Sequence, residues 1–244
     1  AKLGASDAED GATTGASSDG DTFGSSVAIE GNTVVVGAQK KNQYTGAAYV
    51  YRSTDGGATY VEVAKLTAAD AAQNDQFGES VAIDGATVVV GAYGKDSYTG
   101  AVYVYRTTDG WGTYTEIKLT ASDAAVGDGF SRSVAIDGDT IVVGASEKAY
   151  VFRTSDGGAS YDQVAKLTAA DAAANDEFGN SVAIAGDTIV VGAQGKDSYT
   201  GAVYVFLTTD GGATYDEIAK LTAADAAYYD YFGHSVAISG DTIV

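Results

Sequence analysis

The sequence repeats itself, and this internal repeat constrains the fold more than any other feature. A cluster first seen at Phe23-Gly24-Ser25-Ser26-Val27-Ala28-Ile29 returns about every 50 residues. The copies begin at Phe23, Phe77, Phe130, Phe178 and Phe232. A repeat of this length is typical of supersecondary units that bury their faces against neighbouring copies.

Each repeat contains four short apolar runs, and these predict β-strands. The runs are rich in Val, Ile, Tyr and Thr and are bounded by Gly, Asp or Ser. Turns such as Glu30-Gly31-Asn32 predict tight hairpins. The Ala-rich stretch 168–174 is the best helical candidate and is long enough for one turn. We therefore predict an all-β fold, a β-propeller of four-stranded antiparallel blades, with an open solenoid of hairpins as the alternative.

The two ends of the chain are out of phase with the blades. Ala1-Lys2-Leu3 matches the fourth strand, seen at Ala64-Lys65-Leu66, whereas residues 235–244 match only the first two strands. We predict a single propeller domain over residues 1–244, with about five repeats. The last blade is incomplete or is closed by the N-terminal strand. A fragment of a larger ring and completion by another chain are the alternatives.

Composition and charge exclude several classes of function. The chain has no Cys, so it can form no disulfide, thiol nucleophile or thiolate metal site. His234 is the sole histidine, which excludes His-cluster metal sites. A net charge of −19 makes nucleic acid a poor partner, because phosphate binding needs clustered Lys and Arg. The sequence has no apolar stretch long enough to predict a membrane span.

The repeated motif Phe-Gly-x-Ser-Val-Ala-Ile, followed by Val-Gly-Ala, resembles the FG-GAP repeat of integrin-α-like propellers. The resemblance covers nearly the whole chain. It implies a propeller in extracellular or cell-surface adhesion and ligand-binding proteins. The third copy departs from the motif at Ser131, where the others have Gly. The link between the first two strands, such as Asp84-Gly85-Ala86, is too short for the calcium loop found there in integrin-type blades, so calcium binding is not carried over to that position.

A second resemblance concerns the turn between the third and fourth strands. Residues 53–60 resemble the Asp-box hairpin, with Tyr60 replacing Trp, and further copies centre on Asp109, Asp156 and Asp210. Asp accepts hydrogen bonds from turn amides, so we expect a structural role.

Repeated aspartates lie between the fourth strand of one blade and the first strand of the next. These candidate cation ligands, with calcium as the candidate cofactor, are Asp70, Asp75, Asp123, Asp128, Asp171, Asp176, Asp225 and Asp230. The first copy is expanded to Asp7, Asp10, Asp19 and Asp21. The alternative, which we favour, is structural: the second Asp of each pair caps the crossing and the first is solvated.

Loop tyrosines are the candidate ligand-binding residues. The loop Lys95–Gly100 recurs at residues 196–201 and 41–46 but is deleted in the third blade. An element that stabilises the strands would not be dropped so easily. The candidates are Tyr44, Tyr98 and Tyr199, with Tyr228, Tyr229 and Tyr231 in the last copy. They would stack on sugars or bind a protein, although packing on their own hairpins is an equal alternative.

No catalytic set stands out. Arg52, Arg106 and Arg153 occupy equivalent positions, so we expect them to pair with nearby acids rather than converge on a substrate. We therefore predict a non-enzymatic binding or adhesion module for a protein or glycan. The alternatives are a subunit of an extracellular assembly, completed by strand addition between chains, and a glycan-active enzyme on an Asp-box propeller.

Overall fold

The computed structural model describes residues 2–7 and 20–244, and its secondary structure is almost entirely β. The strands are β1 (Val27–Glu30), β2 (Thr33–Ala38), β3 (Ala47–Arg52), β4 (Val61–Leu66), β5 (Phe77–Asp84), β6 (Thr87–Ala92), β7 (Ala101–Thr107), β8 (Tyr114–Leu119), β9 (Ser133–Asp137), β10 (Thr140–Ala145), β11 (Lys148–Arg153), β12 (Asp162–Leu167), β13 (Phe178–Ala185), β14 (Thr188–Ala193), β15 (Ala202–Leu207), β16 (Asp216–Leu221), β17 (Ile238–Ser239) and β18 (Thr242–Ile243). Three four-residue helical segments are α1 (Lys41–Tyr44), α2 (Lys95–Tyr98) and α3 (Lys196–Tyr199).

The strands form antiparallel sheets in chain order, as the repeat predicts. Four sheets have four strands each, β1–β4, β5–β8, β9–β12 and β13–β16, and β17 pairs with β18. The first two strands of a blade meet in a tight hairpin, in which Glu30 faces Thr33 across the turn. Gly31 has a φ of 52° there, in the region that glycine enters without strain. The prediction of four-stranded propeller blades is confirmed.

The chain divides into two compact units, each with its own apolar core. The first unit comprises Ala1–Thr120 and Ala125–Gly127, and the second comprises Ala121–Ala124 and Asp128–Val244. In the first, Val35, Val50 and Phe77 are buried with neighbouring side chains of β6 and β7. In the second, Val142, Phe178 and Val191 form the equivalent core. That residues 1–244 form a single domain stays a prediction.

Within each unit, the signature residues of the repeat meet where one blade packs on the next. In the first unit, the Ser26 hydroxyl donates a hydrogen bond of 2.7 Å to the Gly78 carbonyl. A Cβ at Gly37 would overlap that same carbonyl oxygen. Ser181 and the Gly233 carbonyl repeat this contact in the second unit, at 2.8 Å. The Phe-Gly, Ser and Val-Gly-Ala elements therefore recur together because they build one backbone contact.

The Ala-rich stretch is not helical. It forms two separate turns, closed by hydrogen bonds from Ala172 N to Ala169 O at 3.1 Å and from Asp176 N to Ala173 O at 3.4 Å. Helix formation needs several consecutive hydrogen bonds to offset the cost of its first turn, and this stretch is too short for that. No helix in the described ranges is long and apolar enough to cross a membrane.

The fifth sheet has only the two strands β17 and β18. The described N-terminal residues, 2–7, lie in no strand. Leu3 and Ala5 instead pack against the core of the first sheet, near Val34 and Tyr49. The last blade is therefore incomplete in the described part of the chain. Asp10 and Asp19 lie outside the described residues.

Candidate functional site

The second aspartate caps three of the crossings, as the structural alternative expects. The carboxylate of Asp75 accepts a hydrogen bond from the Ala72 amide at 2.7 Å. Asp176 does the same with Ala173 at 2.8 Å, and Asp230 with Ala227 at 2.6 Å. In the third repeat, Asp128 lies 3.2 Å from the Lys148 ammonium. These bonds hold the turn that leads into each Phe-Gly strand.

A buried lysine pairs with the second aspartate in three of the repeats, including Lys41 with Asp21 at 2.9 Å. Lys95 Nζ lies 2.9 Å from Asp75 Oδ2, and each side chain is only 6% exposed. Lys196 and Asp176 form the same pair at 2.9 Å. Burial opposes the charged form of Lys95, but the hydrogen bond and the charge of Asp75 outweigh it and raise the lysine pKa. The ammonium of Lys95 is therefore retained, and it donates a hydrogen bond to the Asp75 carboxylate.

The first aspartate is not simply solvated, and that expectation is wrong. Asp70 accepts hydrogen bonds from the Tyr103 hydroxyl at 2.5 Å and from Lys118 at 2.7 Å. Burial raises the pKa of Asp70, but these bonds outweigh burial and lower it to about 2. The same contacts recur at Asp123, with Tyr150 and Lys166, and at Asp171, with Tyr204 and Lys220.

These contacts leave a poor fit for a calcium ion at the aspartate pairs. Calcium takes six to eight oxygen ligands, whereas Asp70 and Asp75 already bind lysine ammonium groups. In the described ranges, no three acidic or histidine side chains are grouped so that they could hold a metal ion. Asp225 and Asp230 lie in the exposed last crossing. Calcium binding stays a prediction, and an unchanged melting temperature on adding calcium would count against it.

The loops that carry the candidate tyrosines have an unusual backbone. After Lys95, residues Asp96, Ser97 and Tyr98 have φ of 50°, 61° and 63°, all in the left-handed region. Segments α1 and α3 repeat this at residues 42–44 and 197–199. A left-handed conformation costs an L-residue roughly 1–2 kcal/mol, so three in succession store considerable strain. This strain could not be predicted from the sequence, because none of the three residues is glycine.

In the first repeat, two neighbouring contacts hold the strained turn of α1 in place. At its start stands the buried Lys41, whose ammonium lies 2.9 Å from Asp21. Beyond its end, the Tyr44 and Thr45 carbonyls accept hydrogen bonds from Gln76 N at 2.7 Å and Phe77 N at 3.1 Å. Gly46 follows with a φ of 86°, and a Cβ there would overlap the Phe77 backbone. The loop is therefore anchored to the strand that begins the next blade.

The turn exposes its tyrosine to different degrees in the three copies. The Tyr98 side chain is 47% exposed and lies edge-on to Tyr93, with ring centroids 5.4 Å apart. Tyr44 is half-buried, and Lys40 Nζ lies 5.6 Å from its ring centroid. Tyr199 is also half-buried.

Four of the candidate tyrosines form one cluster in the second unit. Tyr199 stacks on Tyr229 with an interplanar angle of 13° and a centroid distance of 5.7 Å. Tyr231 lies 5.4 Å from Tyr199, and Tyr228 lies 5.2 Å from Tyr229. Tyr228 and Tyr229 remain 67% and 59% exposed. These four residues therefore form one aromatic group, which we call the tyrosine cluster.

A depression adjoins Tyr98 in the first unit. Its volume is about 460 Å³, and it lies between residues 72–75 of the crossing and residues 94–98 of the loop. Gly94 N donates to the Asp75 carbonyl at 3.0 Å. A Cβ at Gly94 would overlap the Asn74 carbonyl oxygen. The sequence does not indicate this depression, because it depends on how the two segments approach each other.

The expected pairing of blade-edge arginines with acids is wrong for two of them. Arg52 and Arg153 lie instead against Gly110 and Gly212, each in the hairpin of the next blade. Among the described residues, the arginine ion pair that the structure shows joins Arg132 to Glu177 at 3.5 Å. His234 is exposed and contacts the side-chain oxygen of Gln194.

The aspartate of each strand 3–4 hairpin organises its own turn. Asp55 accepts hydrogen bonds from the Thr59 hydroxyl at 2.6 Å and the Thr59 amide at 2.9 Å. These bonds, with one from Ser53, lower the pKa of Asp55 to about 2. Asp109, Asp156 and Asp210 make equivalent bonds. Their carboxylates are committed to the turn, and the link to Asp-box proteins stays a resemblance.

Comparison with known proteins agrees with this architecture. A solved structure of a protein from Lactobacillus plantarum is similar, with a TM-score of 0.56 and 14% identity over 83% of this chain. This chain covers 57% of the length of that structure. Such low identity supports the fold alone. No curated protein matches the sequence. The FG-GAP repeat family model matches residues 1–51, 60–105, 114–161, 161–206 and 215–244, and the chain belongs to the FG-GAP repeat family.

Proposed function

We propose that this protein is a non-enzymatic binding module, whose protein or glycan partner is held by the tyrosines on the loops between the second and third strands. The observation that carries this proposal is Tyr98. It is 47% exposed on a turn whose last three residues are all left-handed. Non-glycine residues in strained conformations concentrate at functional sites, because the surrounding structure must hold them there.

The blade itself does not require this loop. In the third sheet, β10 and β11 are joined by the short turn at Ser146 and Glu147, and the four strands still pair in order. The strain of the longer loop therefore brings no benefit to strand pairing. A rigid loop that presents an exposed aromatic side chain is well suited to binding.

The second unit has a candidate binding surface of its own, the tyrosine cluster. Tyrosine offers a large contact area and loses little conformational entropy when it is held. Stacking between Tyr199 and Tyr229 already restricts both rings. An exposed aromatic group that is ordered before binding lowers the entropic cost of association.

Adhesion outside the cell is the setting we propose, by analogy with FG-GAP proteins. A structural subunit that shares strands with a second chain is the main alternative. A strict monomer in sedimentation measurements would exclude that alternative. Turnover of a sialoside, abolished by one point substitution, would overturn the non-enzymatic assignment.

The test is a screen of glycans and extracellular proteins against the wild-type chain and the Tyr98→Ala and Tyr199→Ala variants. Val61→Ala is the matched control, because Val61 is 64% exposed on the outer strand β4. We expect a tyrosine variant to weaken binding of a captured partner at least about tenfold, a loss of about 1.4 kcal/mol. The control should bind as the wild type does. Partners that bind both tyrosine variants with wild-type affinity would contradict the proposal.

A further inference from the structure

We infer that the depression beside Tyr98 is a subsite for a neutral saccharide, with a related subsite beside Tyr199. This inference rests on the proposed binding function and assigns one ligand class to one part of the surface. The depression has a volume of about 460 Å³, within the range of about 300–1,000 Å³ usual for small-molecule sites.

The side chains around the depression suit a polyhydroxylated ligand. Gln73 and Asn74 present amides that both donate and accept hydrogen bonds, and Ser97 adds a hydroxyl. These three side chains are exposed, and within residues 2–7 and 20–244 none of them makes a hydrogen bond. Sugar hydroxyls likewise donate and accept. The Tyr98 ring supplies an apolar surface for the C–H face of a sugar.

The charges around the depression favour a neutral ligand. The chain carries a formal net charge of −19, yet the carboxylates near this site face lysines. Asp75 lies 2.9 Å from Lys95, and Asp96 lies 4.0 Å from Lys118. A cationic ligand would have to compete with those ammonium groups, and an anionic ligand would meet the carboxylates. A neutral sugar avoids both costs.

The same arrangement recurs in the second unit. Asn175, Ser198 and Tyr199 correspond to Asn74, Ser97 and Tyr98 in the repeat. Gly195 again approaches the Asn175 carbonyl so closely that a Cβ would overlap it. The charges are matched here too, with Asp176 2.9 Å from Lys196 and Asp197 3.7 Å from Lys220.

The two subsites differ in ways that rank them. Ala174 replaces Gln73, which removes one amide. Tyr199 stacks on Tyr229, which covers part of its ring, whereas Tyr98 contacts Tyr93 edge-on. We therefore expect the subsite beside Tyr98 to bind a sugar more tightly than the one beside Tyr199.

The probes are the methyl glycosides of glucose, galactose, mannose and N-acetylglucosamine, with a heparin tetrasaccharide as the charged comparison. Saturation-transfer NMR and backbone amide shifts would measure binding to the full chain. We expect at least one neutral glycoside to shift the amides of residues 73–75 and 96–98. The variants Tyr98→Ala and Asn74→Ala should each weaken its binding at least about tenfold, whereas Val61→Ala should not.

Several results would overturn the inference, provided that melting temperatures show the variants to be folded. These are no response to any neutral glycoside, equal binding by Asn74→Ala and the wild type, or binding of heparin alone. A protein partner that is lost with Tyr98→Ala, without any glycoside response, would sustain the proposed function and overturn the saccharide subsite. Glycoside binding that depends on Asn74 and Tyr98 would support both.

Discussion

The buried pair of Lys95 and Asp75 gives the sharpest test of the structure, because it joins the strained loop to the crossing beside it. The perturbation is Lys95→Met, which keeps the length of the side chain and removes its charge. Both side chains of the pair are 6% exposed, and the two charged atoms are 2.9 Å apart. Removing one partner of a buried pair costs 3–5 kcal/mol, because it leaves the other charge uncompensated.

The lower end of that range applies here. After the substitution, the Asp75 carboxylate would still accept the hydrogen bond of 2.7 Å from the Ala72 amide. We therefore expect Lys95→Met to lower the free energy of unfolding by about 3 kcal/mol. The matched control is Lys118→Met, whose ion pair with Asp70 is slightly shorter, at 2.7 Å, but has side chains 34% and 47% exposed. Exposed pairs contribute little, so the control should lose about 0.5 kcal/mol.

The assay is urea unfolding, supported by thermal melting, for which about 3 kcal/mol corresponds to roughly 6–12 °C in a chain of this size. The double variant Lys95→Met, Asp75→Asn removes both charges. It should therefore be less destabilised than the sum of the two single variants. If Lys95→Met proved no more harmful than Lys118→Met, the pair would not be buried as described. Lys95 would then not anchor the loop.

Three further predictions concern stability. Ser131 has a φ of 81° where other copies have glycine. Ser131→Gly should therefore raise the free energy of unfolding, measured in urea, by about 1 kcal/mol. A lower free energy of unfolding would refute this prediction. Gly37→Ala should lower the melting temperature more than Gly85→Ala does. A methyl group at Gly37 would overlap the Gly78 carbonyl oxygen, whereas the space around Gly85 is open and only its φ of 54° disfavours alanine. Equal melting temperatures for the two variants would contradict the close contact between Gly37 and Gly78. The hydrogen bonds that Lys220 and Tyr204 donate to Asp171 lower its pKa from 3.8 to about 2. The ionised Asp171 carboxylate therefore stabilises the folded chain fully above pH 4, and this stabilisation is lost as the pH falls towards 2. Because Asp171 is exposed, it contributes less than about 1 kcal/mol to the free energy of unfolding. In acid titrations of stability, Asp171→Asn should therefore flatten the dependence on pH between 4 and 2. An unchanged pH dependence would contradict this prediction.

The strand plan could be predicted from the sequence because it depends on local patterns. Runs such as Val102-Tyr103-Val104-Tyr105 lie in β7, and the turn at Gly31 has the positive φ expected of a tight hairpin. The repeat also indicated that its units bury faces against neighbouring copies, and Phe77, Phe130 and Phe178 are each 1% exposed.

The site could be predicted only in part, because its contacts join residues far apart in the chain. The sequence indicated that Asp75 would cap its own crossing, which is a local bond. It did not indicate that Asp70 binds Tyr103 and Lys118, which lie 33 and 48 residues away. Nor did it indicate the left-handed turn at Asp96, since intrinsic preferences favour glycine there. Tertiary contacts override that preference.

These long-range contacts explain how a strained loop can serve binding. The turn at residues 96–98 has an unfavourable backbone, so it would relax if it were free. The buried ion pair of Lys95 with Asp75 fixes the residue that precedes this turn. In the equivalent loop of the first repeat, the Phe77 amide donates a hydrogen bond to the carbonyl of Thr45, the residue after Tyr44. Folding thus supplies the free energy that keeps the tyrosine in place, and a ligand need not supply it again. A substitution at Lys95 should therefore weaken ligand binding as well as stability, although Lys95 is buried beneath the surface that the ligand would contact.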